Sequence, residues 1–314
     1  MLVAALLALI GPSGPDAFAQ TNRTLKIVVP YPPGGGVDTT ARRLADQISR
    51  NQGITAVIDN RPGGGTIIGT EAVARAAPDG NTVLILTNTF VVTPQLKQVN
   101  YHALTSFEPI CNLVSTPPIV VVHNNSAYRT LADLLDAARR KPGSLTLASV
   151  PGTFLSLSFE MLQRAAQVNL NFVPYNGTAP AIAALLGEHV DAVLVDYSTV
   201  VEQIRSGALR GLATGSRSRI EALPNVPTVD ESGYPGYETD LWYGAFAPAK
   251  TPRDIISSLS GWFSAALQSP EIKSNLISQG LYPTGTCGDE FKEYVRVQYE
   301  KYGKVIRDAN IKPE

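Results

Sequence analysis

The stretch that decides the fold is KIVVPYPPGGGVD, which runs from Lys26 to Asp38. It joins an apolar, strand-like run to two prolines, three glycines and an aspartate. The apolar residues that follow recur at the spacing of one helix face: Ala41, Leu44, Ala45 and Ile48. The order is therefore strand, glycine-rich turn and helix, which is the opening unit of an α/β protein.

The glycines in this turn do not form a nucleotide-binding motif. A dinucleotide fingerprint needs G-x-G-x-x-G, but Thr39 stands where the third glycine would fall, and no Gly-Lys-Ser/Thr follows for a P-loop. We predict that Asp38 N-caps the helix, while Gly34–Gly36 leave backbone N–H groups free at its start. Such groups favour an anion, a carboxylate as readily as a phosphate. A tight turn without a ligand is the alternative.

Two stretches of the chain show this alternation of strand and helix. Strand-like and helical runs alternate from Leu25 to Leu86 and again from Leu145 to Ala213, which predicts parallel sheets covered on both faces. Three helical runs follow the strand-like 241–248, with too few strands to form a sheet of their own. We therefore predict an α/β protein of two lobes with a cleft between them. Lobe 1 comprises residues 20–122 and 245–314, and lobe 2 comprises residues 123–244.

Bulk composition excludes several classes of partner. The chain has 314 residues and a net charge of −1, with no basic run, so we expect no nucleic-acid or anionic-membrane surface. The apolar run Met1–Ile10 and the sequence AFAQ predict a signal peptide over residues 1–19, although no lysine or arginine precedes Arg23. An ordinary buried N-terminal segment is the alternative. We expect an exported protein.

Cysteine and histidine give no metal or redox motif. Cys111 and Cys287 are the only cysteines, and a free-thiol state fits the sequence as well as a disulfide does. Neither they nor the histidines have the spacing of metal ligands, so we expect no metal and no cofactor. No G-x-S-x-G elbow occurs. An enzyme using Asp38 or Asp196 as a carboxylate catalyst is the weaker hypothesis, and we predict that the protein is not an enzyme.

Further loops are expected to meet the first one at the cleft. SVPGTF, 149–154, and VPYNGTAP, 173–180, follow strands of the second series, and Asp196 ends another. The carboxyl ends of such strands are where open α/β sheets bind ligands. We predict that Thr153 is an N-cap and that Tyr175 forms a wall. NRPGGGTIIGTE, 60–71, is interpreted as structural, with Arg61 bracing the loop.

Four segments together resemble one family. They are KIVVPYPPGGGVDTTARRLADQI, VIDNRPGGGTIIGTEAVARAAPDGNTVL, VPYNGTAPAIAALLGEHVDAVLVD and LWYGAFAPAKTP, and they are similar to the substrate-binding receptors of tripartite tricarboxylate transporters, the Bug family. The resemblance implies a periplasmic receptor of type II binding-protein topology, which we expect to be a monomer. Such a receptor captures a small organic acid or amino acid and delivers it to the membrane components of its transporter. A sensor that presents its liganded state to a signalling partner is the alternative.

The resemblance also implies where the ligand binds. The family uses the loop after the first strand of each lobe. Carried over, these positions are Tyr31, Gly35, Gly36, Val37 and Asp38 in lobe 1, and Gly152, Thr153, Tyr175 and Asp196 in lobe 2.

The chain departs from the family pattern at two loops. Pro151 precedes Gly152, and Leu155-Ser156-Leu157 stands where the family has histidine, so we predict that Phe154 projects into the cleft. The segment TNTF, 87–90, is bulky and rich in hydroxyl groups, which adds Asn88 to the predicted ligand-binding residues.

Overall fold

A computed structural model describes residues 24–308, 310 and 311. The predicted signal peptide, residues 1–19, lies outside the described residues. Within the described part of the chain, every helix is too short or too polar to cross a membrane.

Strands and helices alternate over most of the chain. The strands are β1 Thr24–Val29, β2 Thr55–Asn60, β3 Thr82–Thr87, β4 Phe107–Thr116, β5 Pro118–His123, β6 Thr146–Ser149, β7 Asn171–Pro174, β8 Ala192–Asp196, β9 Leu209–Thr214, β10 Leu241–Pro248 and β11 Tyr282–Pro283. The helices are α1 Gly36–Gln52, α2 Ile67–Ala74, α3 Thr89–Leu96, α4 Leu131–Arg140, α5 Phe154–Ala166, α6 Thr178–Leu186, α7 Val201–Arg205, α8 Arg253–Gln268, α9 Pro270–Ser278 and α10 Gly288–Asp308.

The strands form two sheets. The first has the order β11-β4-β10-β3-β1-β2, and the second has the order β7-β6-β8-β5-β9. Strands β1, β2 and β3 run parallel, as do β6, β7 and β8, but β10 and β5 run antiparallel to their neighbours. The predicted parallel pairing is therefore confirmed for these strands of the two alternating series, but each sheet as a whole is mixed. The sequence period gives strand burial, but it does not give the direction in which a strand enters a sheet.

The chain passes between the sheets at two places. Strand β5 pairs in the second sheet directly after β4 ends in the first, and β10 pairs in the first along its whole length. Helices α8 and α10 then contact β4, as the shortage of strands in the C-terminal part predicted. We propose lobe boundaries just before Pro118 and Leu241 in place of those predicted at residues 122 and 245. Lobe 1 and lobe 2 below mean the residues built on the first and second sheet.

Each lobe has its own apolar core. The interior of lobe 1 includes the fully buried Phe90, Tyr243 and Phe246, together with Leu44 of α1. In lobe 2, residues of α4 and α5 pack against one face of the sheet and residues of α6 against the other. The sheet of lobe 2 is thus covered on both faces, which leaves its strand ends and their loops to form the site.

Cys111 on β4 and Cys287 before α10 form a disulfide across 176 residues of sequence. The sequence left a disulfide and free thiols open, because the pairing depends on where β4 and the C-terminal segment meet. Asn112 N–H, next to Cys111, donates to the carbonyl of Thr286 (2.7 Å), which aligns the two segments. The bridge therefore ties the last helix to the sheet of lobe 1.

Candidate functional site between the two lobes

The loop after β1 is held by the side chain of Asp38. Its Oδ2 accepts hydrogen bonds from Gly34 N–H (2.9 Å) and Arg42 Nε (3.0 Å), and its Oδ1 accepts one from Asn60 Nδ2 (2.9 Å). The N-cap of α1 is Gly35, so the prediction that Asp38 caps the helix is wrong. An acidic side chain in the first turn can reach back to an N–H that precedes the cap, and Asp38 does so.

The same contacts set the charge of Asp38. Burial of the carboxyl group acts to raise its pKa, but hydrogen bonds from Arg42, from Gly34 N–H and from Asn60 outweigh burial, and the pKa is lowered from 3.8. Asp38 is therefore ionised at neutral pH. Its carboxylate is used by the loop itself, which makes it a structural support for the loop.

Helix α1 presents open amide groups at its start. Gly35 has no side chain to cap it, and within the described residues the N–H groups of Gly36 and Val37 have no hydrogen-bond acceptor. Helix α5 differs, because Thr153 Oγ1 accepts from Ser156 N–H (3.4 Å) in a capping box, which confirms Thr153 as the predicted N-cap. The start of α1 is thus the better anion-binding position of the two.

A cluster of three polar side chains joins the lobes beside this helix start. Tyr243 of β10 donates its hydroxyl to Asp196 Oδ2 (2.6 Å), and Ser198 Oγ donates to the same oxygen (3.0 Å). A Cβ placed on Gly36 would lie 2.6 Å from Tyr243 Oη, 2.7 Å from Ser198 Oγ and 3.0 Å from Asp196 Oδ2. Only glycine at position 36 therefore allows α1 to approach this cluster so closely.

Burial and charge keep the Tyr243 hydroxyl protonated. Burial, the negative charge of Asp196 and the hydrogen bond donated to it all act to raise the pKa of Tyr243, which lies well above 10. The tyrosine is accordingly a permanent donor to Asp196 at any physiological pH.

A second junction connects α3 with the start of α5. Phe154 N–H donates to Thr89 Oγ1 (3.0 Å), and Thr93 Oγ1 donates to the carbonyl of Gly152 (2.9 Å). Thr89 and Thr93 lie one turn apart on the same helix face, so both reach the other lobe. The first amide of α5 is therefore satisfied by a side chain of lobe 1.

Tyr31 extends this junction toward the loop after β1. Its hydroxyl lies 2.9 Å from Thr87 Oγ1, which donates to Thr89 Oγ1 at 2.9 Å. Burial raises the pKa of Tyr31 above 10, so its hydroxyl remains protonated. The predicted residue Tyr31 thus belongs to a line of hydroxyl groups that runs from the first loop to α5.

Comparison with known proteins identifies the type of molecule that carries this site. A sequence profile described as tripartite tricarboxylate transporter family receptor matches residues 40–311. The chain belongs to this family. Members of the family are binding proteins rather than enzymes, in agreement with the absence of catalytic motifs from the sequence.

Solved structures confirm the two-lobed α/β fold of type II topology. The receptor superposes on periplasmic binding protein BugD with a TM-score of 0.88 and 33% identity, covering 93% of this chain and 99% of BugD. A Rhodopseudomonas palustris protein solved with adipate gives a TM-score of 0.89 and 30% identity, covering 94% and 100% of the two chains. MatC from the same organism, solved with malate, gives 0.85 and 26%, covering 90% and 99%.

Two predicted ligand-binding residues of the receptor have structural contacts instead. Phe154 is fully buried in the lobe 1 core and packs edge-on against Tyr302, with ring centroids 5.1 Å apart. The prediction that its side chain projects into the cleft is therefore wrong. Asn88 is also fully buried, and its Nδ2 donates to the carbonyl of Asp240 (2.9 Å). Asn88 thus fastens α3 to the segment that leads into β10.

A loop that the sequence interpretation treated as structural also approaches the other lobe. Arg61 does brace this loop, by donating to Asp59 Oδ2 (2.8 Å). However, a Cβ on Gly65 would lie 2.9 Å from the carbonyl of Pro151 in lobe 2, so the loop faces the other lobe. Thr66 follows with a φ of 86°, a left-handed conformation that is unfavourable for a β-branched residue. In the sequence, the signal that this loop has an unusual backbone was a threonine directly after three glycines.

The loop before α6 also approaches lobe 1. A Cβ on Gly177, in the loop before α6, would lie 3.4 Å from Pro32 Cγ in lobe 1. Tyr175 is half-buried against the lobe 2 core. The structure therefore brings together Gly35, Gly36 and Asp196 at one junction and places Gly152 and Thr153 at the other.

Proposed function

We propose that this receptor captures a small organic acid between its two lobes and delivers it to a tripartite tricarboxylate-type membrane transporter. The observation that carries the proposal is the uncapped start of α1, where Gly36 and Val37 offer N–H groups beside the meeting point of the lobes. Groups of this kind bind carboxylates well when water is excluded.

The relatives support a carboxylate as the solute. The two R. palustris structures hold adipate and malate, which are both dicarboxylic acids. By analogy, this receptor takes a carboxylic acid of similar size. We propose that the solute contacts Tyr31, Gly35, Gly36 and Val37 in lobe 1, and Gly152, Thr153, Tyr175 and Asp196 in lobe 2.

Asp196 sets the orientation of this solute. Asp196 is 6% exposed, and its carboxylate already accepts hydrogen bonds from Tyr243 and Ser198, so a second carboxylate placed against it is repelled. The carboxylate of the solute therefore binds the amide groups of α1, and any part of the solute that touches Asp196 is a hydrogen-bond donor.

We further propose that the receptor works in the periplasm and that the membrane components of the transporter are its partner. The support is the family itself, the description of BugD as a periplasmic binding protein and the predicted signal peptide. Uptake of labelled solute by cells with and without the receptor gene tests the delivery step. Unchanged uptake would contradict it.

The solute is identified by mass spectrometry of the compound released from natively purified receptor, followed by calorimetric titration of that compound. We expect a carboxylic acid that binds with saturable heat, and we expect Gly35→Val to weaken its binding, because a Cβ at position 35 meets no protein atom within 4 Å and enters open space beside the helix start. The absence of heat with dicarboxylates, aromatic acids and amino acids would overturn the proposal.

A further inference from the structure

We propose that Phe154 and Leu157 are positioning residues for solute capture: they hold lobe 2 against lobe 1 and thereby raise solute affinity without touching the solute. We call these two side chains the α5 latch, and we call the arrangement in which the lobes meet the closed arrangement. The inference rests on the proposed function, because it concerns a carboxylic acid bound between the lobes. It also makes a prediction about the free receptor, which involves no solute.

Helix α5 carries two apolar stripes that belong to different lobes. The helix follows β6 and is part of lobe 2. One stripe lies in or against the core of lobe 1: Phe154, Leu157 and Met161. The other stripe lies in the core of lobe 2: Phe159, Leu162 and Ala166. Each stripe has the spacing of a single helix face, so the first stripe reaches out of its own lobe into the other one.

Lobe 1 encloses the latch as it encloses its own core residues. Phe154 is fully buried, and its ring meets the ring of the fully buried Tyr302 of α10 edge-on, with the centroids 5.1 Å apart. Leu157 is 2% exposed. The backbone N–H of Phe154 donates to Thr89 Oγ1 of lobe 1 (3.0 Å), so the polar group at the base of the latch is satisfied as well.

The latch lies next to residues that we propose contact the solute. Gly152 and Thr153 directly precede Phe154 in the chain, and Thr93 of lobe 1 donates to the carbonyl of Gly152 (2.9 Å). The side chain of Lys97, also in lobe 1, lies across Gly152 where a Cβ would collide with it. The burial of Phe154 in lobe 1 therefore fixes where Gly152 and Thr153 lie relative to the loop after β1.

Separation of the lobes would bring both side chains of the latch into water. Exposure of a buried phenylalanine or leucine is unfavourable, so the latch favours the closed arrangement with or without a solute. A solute that needs the closed arrangement binds in proportion to the fraction of receptor that is closed. We therefore expect the latch to raise solute affinity, chiefly by slowing solute release.

Phe154→Ala and Phe159→Ala form a matched pair for the test. The two phenylalanines are 0% and 1% exposed, and each meets an aromatic ring edge-on at 5.1 Å, Phe154 that of Tyr302 and Phe159 that of Phe172. Only Phe154 lies in the core of lobe 1. Both variants lose stability as a core truncation does, but only Phe154→Ala removes a contact between the lobes.

Adipate and malate are the probes, with affinity measured by calorimetry and release by stopped-flow mixing. Phe154→Ala is expected to weaken binding by about 10- to 150-fold, the factor that corresponds to burial of one such side chain, with most of the change in the release rate. Phe159→Ala is expected to stay within about twofold of wild type. If Phe154→Ala does not fold, Phe154→Leu is compared with Phe159→Leu, and only the first is expected to weaken binding. Equal losses at positions 154 and 159, or no loss at 154, would overturn the proposal.

Small-angle scattering of the free receptor separates a failure of this inference from a failure of the proposed function. Without solute, Phe154→Ala is expected to have a larger radius of gyration than wild type, and Phe159→Ala the same radius as wild type. Identical radii for wild type and Phe154→Ala would overturn the latch. If wild type binds neither these probes nor any other carboxylic acid, the proposed function fails, and the scattering alone decides whether the latch holds the lobes closed.

Discussion

Gly36→Ala is the most direct test of how the lobes meet. The new methyl group would lie 2.6 Å from Tyr243 Oη, 2.7 Å from Ser198 Oγ and 3.0 Å from Asp196 Oδ2. Carbon atoms normally keep about 3.5 Å or more from such neighbours, so the contact is too close by about 0.5–1 Å. Tyr243 belongs to lobe 1, while the other two residues belong to lobe 2. The lobes must therefore separate, or Tyr243 must leave Asp196.

The expected magnitude follows from the hydrogen bond at risk. The bond from Tyr243 to Asp196 joins a buried hydroxyl to a carboxylate, and a hydrogen bond to a charged group contributes about 1.5–3 kcal/mol. If solute binding requires the lobes to meet, this loss weakens solute affinity by about 10- to 150-fold. The free energy of unfolding should fall by no more than the value of this one hydrogen bond, because Gly36 is the first residue of α1 and the helix itself is otherwise unchanged.

Calorimetry with the solute released from native protein measures the affinity, and small-angle scattering with and without that solute measures lobe closure. Gly261→Ala on α8 is the matched control, because it also replaces a helical glycine but meets no atom within 4 Å. A dissociation constant of Gly36→Ala within about twofold of wild type, with unchanged scattering, would refute the reasoning.

Three further predictions concern stability. Reduction of the disulfide between Cys111 and Cys287 should lower the free energy of unfolding, measured by urea titration, by about 2–5 kcal/mol, and it should leave solute affinity unchanged. Equal stability with and without reductant would contradict this prediction. Because the pKa of Asp38 is lowered in the folded protein, its ionised carboxylate stabilises the fold above pH 3.8, and this stabilisation is lost as the pH falls through the folded-state pKa. In unfolding experiments at decreasing pH, the free energy of unfolding of Asp38→Asn should therefore fall less steeply than that of wild type. Thr89→Val should cost about 1–3 kcal/mol by leaving Phe154 N–H unpaired, whereas a change below about 0.5 kcal/mol would show that this hydrogen bond is dispensable.

Local patterns in the sequence predicted the repeating units of the fold. Glycine, proline and capping residues mark element ends whatever surrounds them, and for this reason Thr153 was found at the N-cap position predicted for it. The stripe of Ala41, Leu44, Ala45 and Ile48 likewise gave the buried face of α1. These features depend on residues within one or two helical turns.

The missed features depend on residues far apart in the chain. Asp38 is a residue type that often caps helices, but here Gly35 is the N-cap, and Asp38 in the first turn accepts a hydrogen bond from Asn60 at the end of β2. Phe154 looked like a cleft residue because its neighbours depart from the family pattern. Whether its ring is exposed depends on Tyr302, a residue of the last helix.

For KIVVPYPPGGGVD, the sequence by itself determined a strand, a rigid turn and a helix start with open amide groups. It also excluded the dinucleotide fingerprint and the P-loop, because the third glycine and the lysine that these motifs need are missing. Only the tertiary structure decided what that helix start faces. Asp196, Ser198 and Tyr243 come from two sheets and reach Gly36 only when the lobes meet, and no local pattern encodes a contact across so many residues.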